Sequence, residues 1–156
     1  MTTKEKNRVL GTTEVVWALQ DLYPSSESLE IREDMFRCRE LAEELAAEMS
    51  GRVGGLDCAA ILQVVQRLEE IDILLARLGT FAFLFFITQT GNAAASALLQ
   101  RVEELEAAVG KRTLFFRLEW NMVEAAKAEL LLQHPLLSGY RHYLQSMRRF
   151  APHQLS

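Results

Sequence analysis

The chain has 156 residues, 49% hydrophobic and 24% charged, proportions that fit a globular fold and exclude wholesale disorder. A chain of this length buries roughly 68–70% of its unfolded surface, enough for one ordinary core. With 17 Lys plus Arg against 21 Asp plus Glu, the formal charge of −4 argues against a dedicated nucleic-acid or membrane-surface binder.

The first residues, "MTTKEKNRVLGTTE", carry Lys4, Lys6 and Arg8 with no apolar stretch behind them, so a secretory signal is not expected. They read as a flexible polar tail over residues 1–14. A single helical domain is expected over 15–156, beginning with "VVWALQDLYPSSES", where Pro24 and its serines break any regular pattern. Trp17, Leu19, Leu22 and Tyr23 can pin this segment onto the helices.

From Ser28 the pattern turns helical. Ile31, Met35, Cys38, Ala42, Leu45 and Met49 recur at steps of three and four, which places them on one stripe. "SGRVGG" ends that helix, because glycine tolerates the left-handed geometry of a helix C-terminus. Asp57 is the expected N-cap of a second helix whose seam is Ile61, Val64, Leu68, Ile71, Leu75, Leu78, Ala82 and Phe85, reaching about Thr88. "TQTGN" is the turn, with Gly91 free to take positive φ and Asn92 able to cap the next helix. The third helix carries Ala94, Leu98, Val102, Leu105, Val109, Arg112, Phe116 and Glu119 or Trp120 on its seam. Two long helices joined by so short a turn must lie antiparallel.

A fourth helix is expected over 122–133, unless its alanine-rich sequence prolongs the third. Pro135 breaks the chain or opens the next element. The last helix aligns Leu137, Tyr140, Leu144, Met147 and Phe150, and Pro152 closes it. The fold class is therefore all-α: a long antiparallel hairpin packed with about three shorter helices and little or no strand. The greasiest run, residues 78–87, is too short for a span of about 20 apolar residues.

Little in the sequence supports chemistry. Zinc hydrolysis needs two imidazoles on one helical face with a carboxylate between them, the HExxH spacing, and a third ligand. The histidines are His134, His142 and His153, none four residues from another, so no metal ligand is assigned. Cys38 and Cys58 form no CxxC and read as structural thiols of a reducing compartment. Ser138 and Ser146 near His142 lack the strand-turn-helix elbow of a serine nucleophile. No catalytic residue and no cofactor-binding residue is assigned.

Two surfaces stand out instead. Phe81, Phe83, Leu84, Phe85, Phe86 and Ile87 point around the whole helix circumference at 100° per residue, as do Leu114, Phe115, Phe116, Leu118 and Trp120. A helix apolar all round needs cover all round, so a leftover apolar patch is expected. Arg141, His142, Arg148 and Arg149 form a basic edge on the last helix, which also complements the helix dipole. The candidate interface is therefore Phe81, Phe83, Phe85, Phe86, Phe115, Phe116, Trp120, Arg141, Arg148 and Arg149.

In this order and spacing, "VVWALQDLYPSSES", "RLGTFAFLFF", "LFFRLEWNMVEAA" and "YRHYLQSMRRFAPHQLS" resemble the N-terminal helical region of oligoendopeptidase F-like zinc metallopeptidases, over residues 15–156. The resemblance implies a helical wall of a channel that admits short peptides, with zinc held by a separate catalytic domain. This sequence lacks that domain's HExxH, so no zinc-binding or catalytic residue carries over. The implied role is a non-catalytic domain of a peptidase, with no cofactor of its own and the catalytic domain as its partner, while the missing secretory signal leads to the expectation of a cytoplasmic location. The alternative is a stand-alone module that pairs with itself through the 81–87 and 114–120 surfaces, without nucleic acid or membrane.

Overall fold

The structure, a computed structural model, describes residues 18–89 and 91–149. The expected tail over 1–14, together with Trp17, Phe150, Pro152 and His153, lies outside these residues. Five α-helices follow one another: α1 (Leu29–Met49), α2 (Cys58–Thr88), α3 (Ala93–Met122), α4 (Ala125–Gln133) and α5 (Arg141–Arg148). Short 3-10 turns occupy Leu19–Asp21, Val53–Gly55 and Pro135–Tyr140, and no strand occurs among the described residues.

The helix ends form where the local chemistry dictates. Asp57 caps α2 by accepting from the Ala60 N–H at 2.8 Å, and Asn92 caps α3 by accepting from the Ala94 N–H at 2.9 Å. Gly51 and Gly91 take φ of 79° and 98°, so each tight turn rests on the residue type that adopts this conformation without strain. At Val123 the backbone opens to ψ 133°, which separates α4 from α3 rather than prolonging it. Pro135 starts the 3-10 turn that leads directly into α5.

At 1.5 Å per residue, α2 and α3 are each about 45 Å long and α1 about 31 Å. Gly79 on α2 faces Glu106 on α3, and Leu68 lies near Phe116, so the hairpin runs antiparallel as its short turn requires. Ion pairs Asp34–Arg77, Arg37–Glu70 and Glu48–Arg67 set α1 antiparallel to α2 as well. The result is an up-down-up three-helix bundle. Its single core joins Cys38, Leu45, Ile61, Ile71, Leu78, Leu98, Leu105 and Phe116, each buried side chain contributing roughly 1.5–3 kcal/mol.

The base of the bundle is closed by α4, the 3-10 turn and α5. Trp120, fully buried, donates its Nε1–H to the Leu144 carbonyl at 3.0 Å and stacks on Phe116. Glu119 accepts from the Gly51 and Val53 N–H groups at 2.7 and 3.1 Å, tying the α1–α2 connection to the end of α3. Lys127 of α4 donates to the Gly54 carbonyl from the other side. By length and composition alone α2 could cross a membrane, its best 18-residue window reaching a mean hydropathy of 1.9. Here it packs between α1 and α3, and Phe81 and Ala82, from the run read as too short to span, lie in the core.

Candidate functional site

At the hairpin tip the apolar run divides by face. Phe81 is buried, meeting Tyr23 edge to face at 5.2 Å and stacking on Phe85 at 5.9 Å. Leu84, Phe85 and Phe86 are half-buried, whereas Phe83 is 54% and Ile87 47% exposed. At the other end of α3, Phe116 and Trp120 lie in the core and Phe115 is half-buried, while Leu114 and Leu118 reach the surface. Three residues of the expected interface, Phe81, Phe116 and Trp120, are thus internal packing and present no surface. Tyr23, just after the N-terminal 3-10 turn, packs on Phe81, and α5 closes over Trp120.

The basic edge also divides. Arg141 and Arg148 lie seven residues apart on α5 and reach toward α4 and α3, Arg148 half-buried and Arg141 still exposed, whereas His142 and Arg149 are exposed about a quarter-turn away. Arg141 donates from Nε to the Leu132 carbonyl at 2.8 Å. Arg148 donates to the Trp120 and Val123 carbonyls at 2.6 and 2.8 Å, with its guanidinium 5.6 Å from the Trp120 ring centre. Arg148 therefore adds a second donor to the Trp120 carbonyl, which already accepts from the Val123 N–H at 3.3 Å, and supplies one to the Val123 carbonyl just past the end of α3.

A second polar group appears where α5 meets the α2–α3 face. Asp72, Arg117 and Tyr143 converge there, from three elements separated by up to 71 positions. Burial pushes the Asp72 carboxyl above its ordinary range, and burial followed by the Asp72 charge raises the Tyr143 phenol. Nearby, the Tyr140 hydroxyl donates to Glu69, which raises the phenol mainly through that bond. Sequence reasoning missed this cluster, since nothing local marks side chains that only the tertiary crossing brings together.

The described residues do not fit a zinc site. His134 caps the 3-10 turn, its Nδ1 accepting from the Leu136 N–H at 3.3 Å, and His142 stands exposed on α5. No group of three or more His, Cys, Asp or Glu side chains able to hold a metal occurs among the described residues. Nor does Cys38 show the character of a nucleophile. Cys38 is buried, and burial with the nearby Asp34 charge pushes its thiol up to about 11.

Residues 119–156 match the family model for the N-terminal region of the M3 peptidases, described as Oligopeptidase F. The match begins in the last turn of α3 and takes in α4, the 3-10 turn and α5. No curated protein and no solved structure matches the chain.

Proposed function

From a chain whose residues 119–156 carry the oligopeptidase F match, we propose that this protein is a non-catalytic helical domain of an oligopeptidase F-like peptidase. It contributes a wall of the substrate channel and a docking surface, while a separate catalytic domain supplies zinc and breaks the bond. A cytoplasmic location goes with this reading. The observation that carries it is the family match, which takes in the whole closure of the bundle's base, anchored through Trp120 and Arg148. The test is to mix the purified chain with a catalytic fragment of an oligopeptidase F-type enzyme that lacks its own N-terminal helices. Association with a rise in peptide turnover supports the proposal; no association at tens of micromolar defeats it.

The exposed tip favours a second reading, self-association through Phe83 and Ile87. Sedimentation of the wild type and of a Phe83→Glu, Ile87→Glu variant decides it. A dimer lost in the variant supports self-pairing, and a monomer throughout rules it out.

A further inference from the structure

Helices α4 and α5 diverge around a cleft of about 420 Å³. One wall is α5, which presents Arg141, Gln145 and Arg148 at i, i+4 and i+7, the spacing that keeps three long polar side chains on one face. The other wall is α4, which offers Ala125, Ala128 and Glu129. The two alanines leave the cleft open, because neither has a side chain long enough to fill it.

Both guanidinium groups are held from behind. Arg141 is anchored through Nε on the Leu132 carbonyl, and Arg148 through both terminal nitrogens on the Trp120 and Val123 carbonyls. A guanidinium has five N–H donors, so each retains donors beyond these bonds. The long side chains are already ordered by the fold, so a ligand meets a pre-formed surface and loses little rotamer freedom on binding. Glu129 is the one acid on the lining, and it forms no ion pair with either arginine among the described residues. Two guanidiniums against one carboxylate leave an excess of a single positive charge, in a chain whose formal charge is −4.

We propose that this cleft binds a peptide carboxylate. The terminal nitrogens of Arg141 take it in a two-pronged hydrogen bond, the Gln145 amide donates alongside, and Arg148 supplies charge from the floor. A single negative charge matches the excess of one, whereas a doubly charged phosphate would leave the occupied cleft net negative. The carboxylate comes either from the free C-terminus of a short peptide or from an acidic side chain of a protein segment. This inference is independent of the peptidase reading, since it concerns binding and not hydrolysis.

The experiment titrates the full ¹⁵N-labelled chain with three probes and follows the arginine Nε–H and Gln145 side-chain signals. The probes are tetraalanine, its C-terminal amide, and the same amide with one alanine replaced by glutamate. Shifts with tetraalanine and not with the plain amide identify a chain terminus as the ligand. Shifts confined to the glutamate-bearing amide identify an acidic side chain. Arg141→Gln weakens the binding about tenfold, while Glu129→Gln tightens it about threefold by removing the opposing charge. Neither exposed change should alter the circular dichroism spectrum. Equal shifts with the plain amide, no shifts with any probe, or an affinity indifferent to Arg141→Gln would overturn the proposal.

Discussion

Replacing Trp120 by Phe probes the joint on which the base of the bundle closes. The indole is fully buried, and its Nε1–H reaches the Leu144 carbonyl at 3.0 Å, tying α3 to α5. Phenylalanine keeps an apolar ring over Phe116 but removes that donor, a loss of about 1 kcal/mol. The smaller ring leaves a void in a site that packs on three sides, a further cost of about 1–2 kcal/mol. The Arg148 guanidinium, 5.6 Å from the ring, also loses its best aromatic face. Together these predict a destabilisation of about 2–3 kcal/mol, or a fall in Tm of about 5–10 °C for a chain of this size. Urea unfolding followed by far-ultraviolet circular dichroism measures the first and a thermal scan the second. In a double-mutant cycle with Arg148→Met, the two changes should couple by at least about 0.5 kcal/mol. A loss under about 1 kcal/mol with strictly additive effects would refute the view that Trp120 and Arg148 together lock α5 to α3.

The remaining predictions concern loops and charge. Glu119→Gln weakens the bonds that hold Gly51 and Val53 and lowers stability by about 1–2 kcal/mol, with faster amide exchange at those two residues as the site-specific readout. Gly51→Ala forces a side chain into φ of 79° and lowers stability by about 1 kcal/mol, although open space surrounds the position. Asp72→Asn raises Tm at pH 7, because burial makes the charged carboxylate unfavourable in the folded state. The sign comes from linkage: a carboxyl with a raised folded pKa binds its proton more tightly when folded, so its stabilisation is present in acid and lost as pH rises through that pKa. Measured across a pH series, the gain from Asp72→Asn should therefore shrink toward acid. A gain independent of pH would contradict it.

The helices were legible in the sequence because their apolar stripes are regular and their ends are marked. Ile31, Met35, Cys38, Ala42 and Leu45 are all buried, and Asp57 and Asn92 cap as their residue types predict. The α3 seam slips at its first position and at one interior position. Ala95 rather than Ala94 is buried, and Arg112 is exposed, because steps of three and four are nearly equivalent in a short window and only packing chooses between them. The interface residues were partly legible. Composition showed that the 81–87 and 114–120 runs exceed one helical face, but not which members the core would take. Phe81, Phe116 and Trp120 were taken into the common core, where Tyr23 packs on Phe81 and α5 closes over Trp120. The basic edge illustrates the same limit. Three arginines and a histidine within nine residues look like one patch, yet the helix directs Arg141 and Arg148 to carbonyls of α4 and the end of α3 and points His142 and Arg149 elsewhere.

The central proposal is that this polypeptide serves a peptidase without itself cutting peptides. The direct measurement is turnover of a quenched fluorescent oligopeptide by the highly purified chain, with and without added zinc. The account predicts no hydrolysis above the buffer rate in either condition. Turnover that tracks this chain through successive purification steps, and that a chelator abolishes, would contradict it.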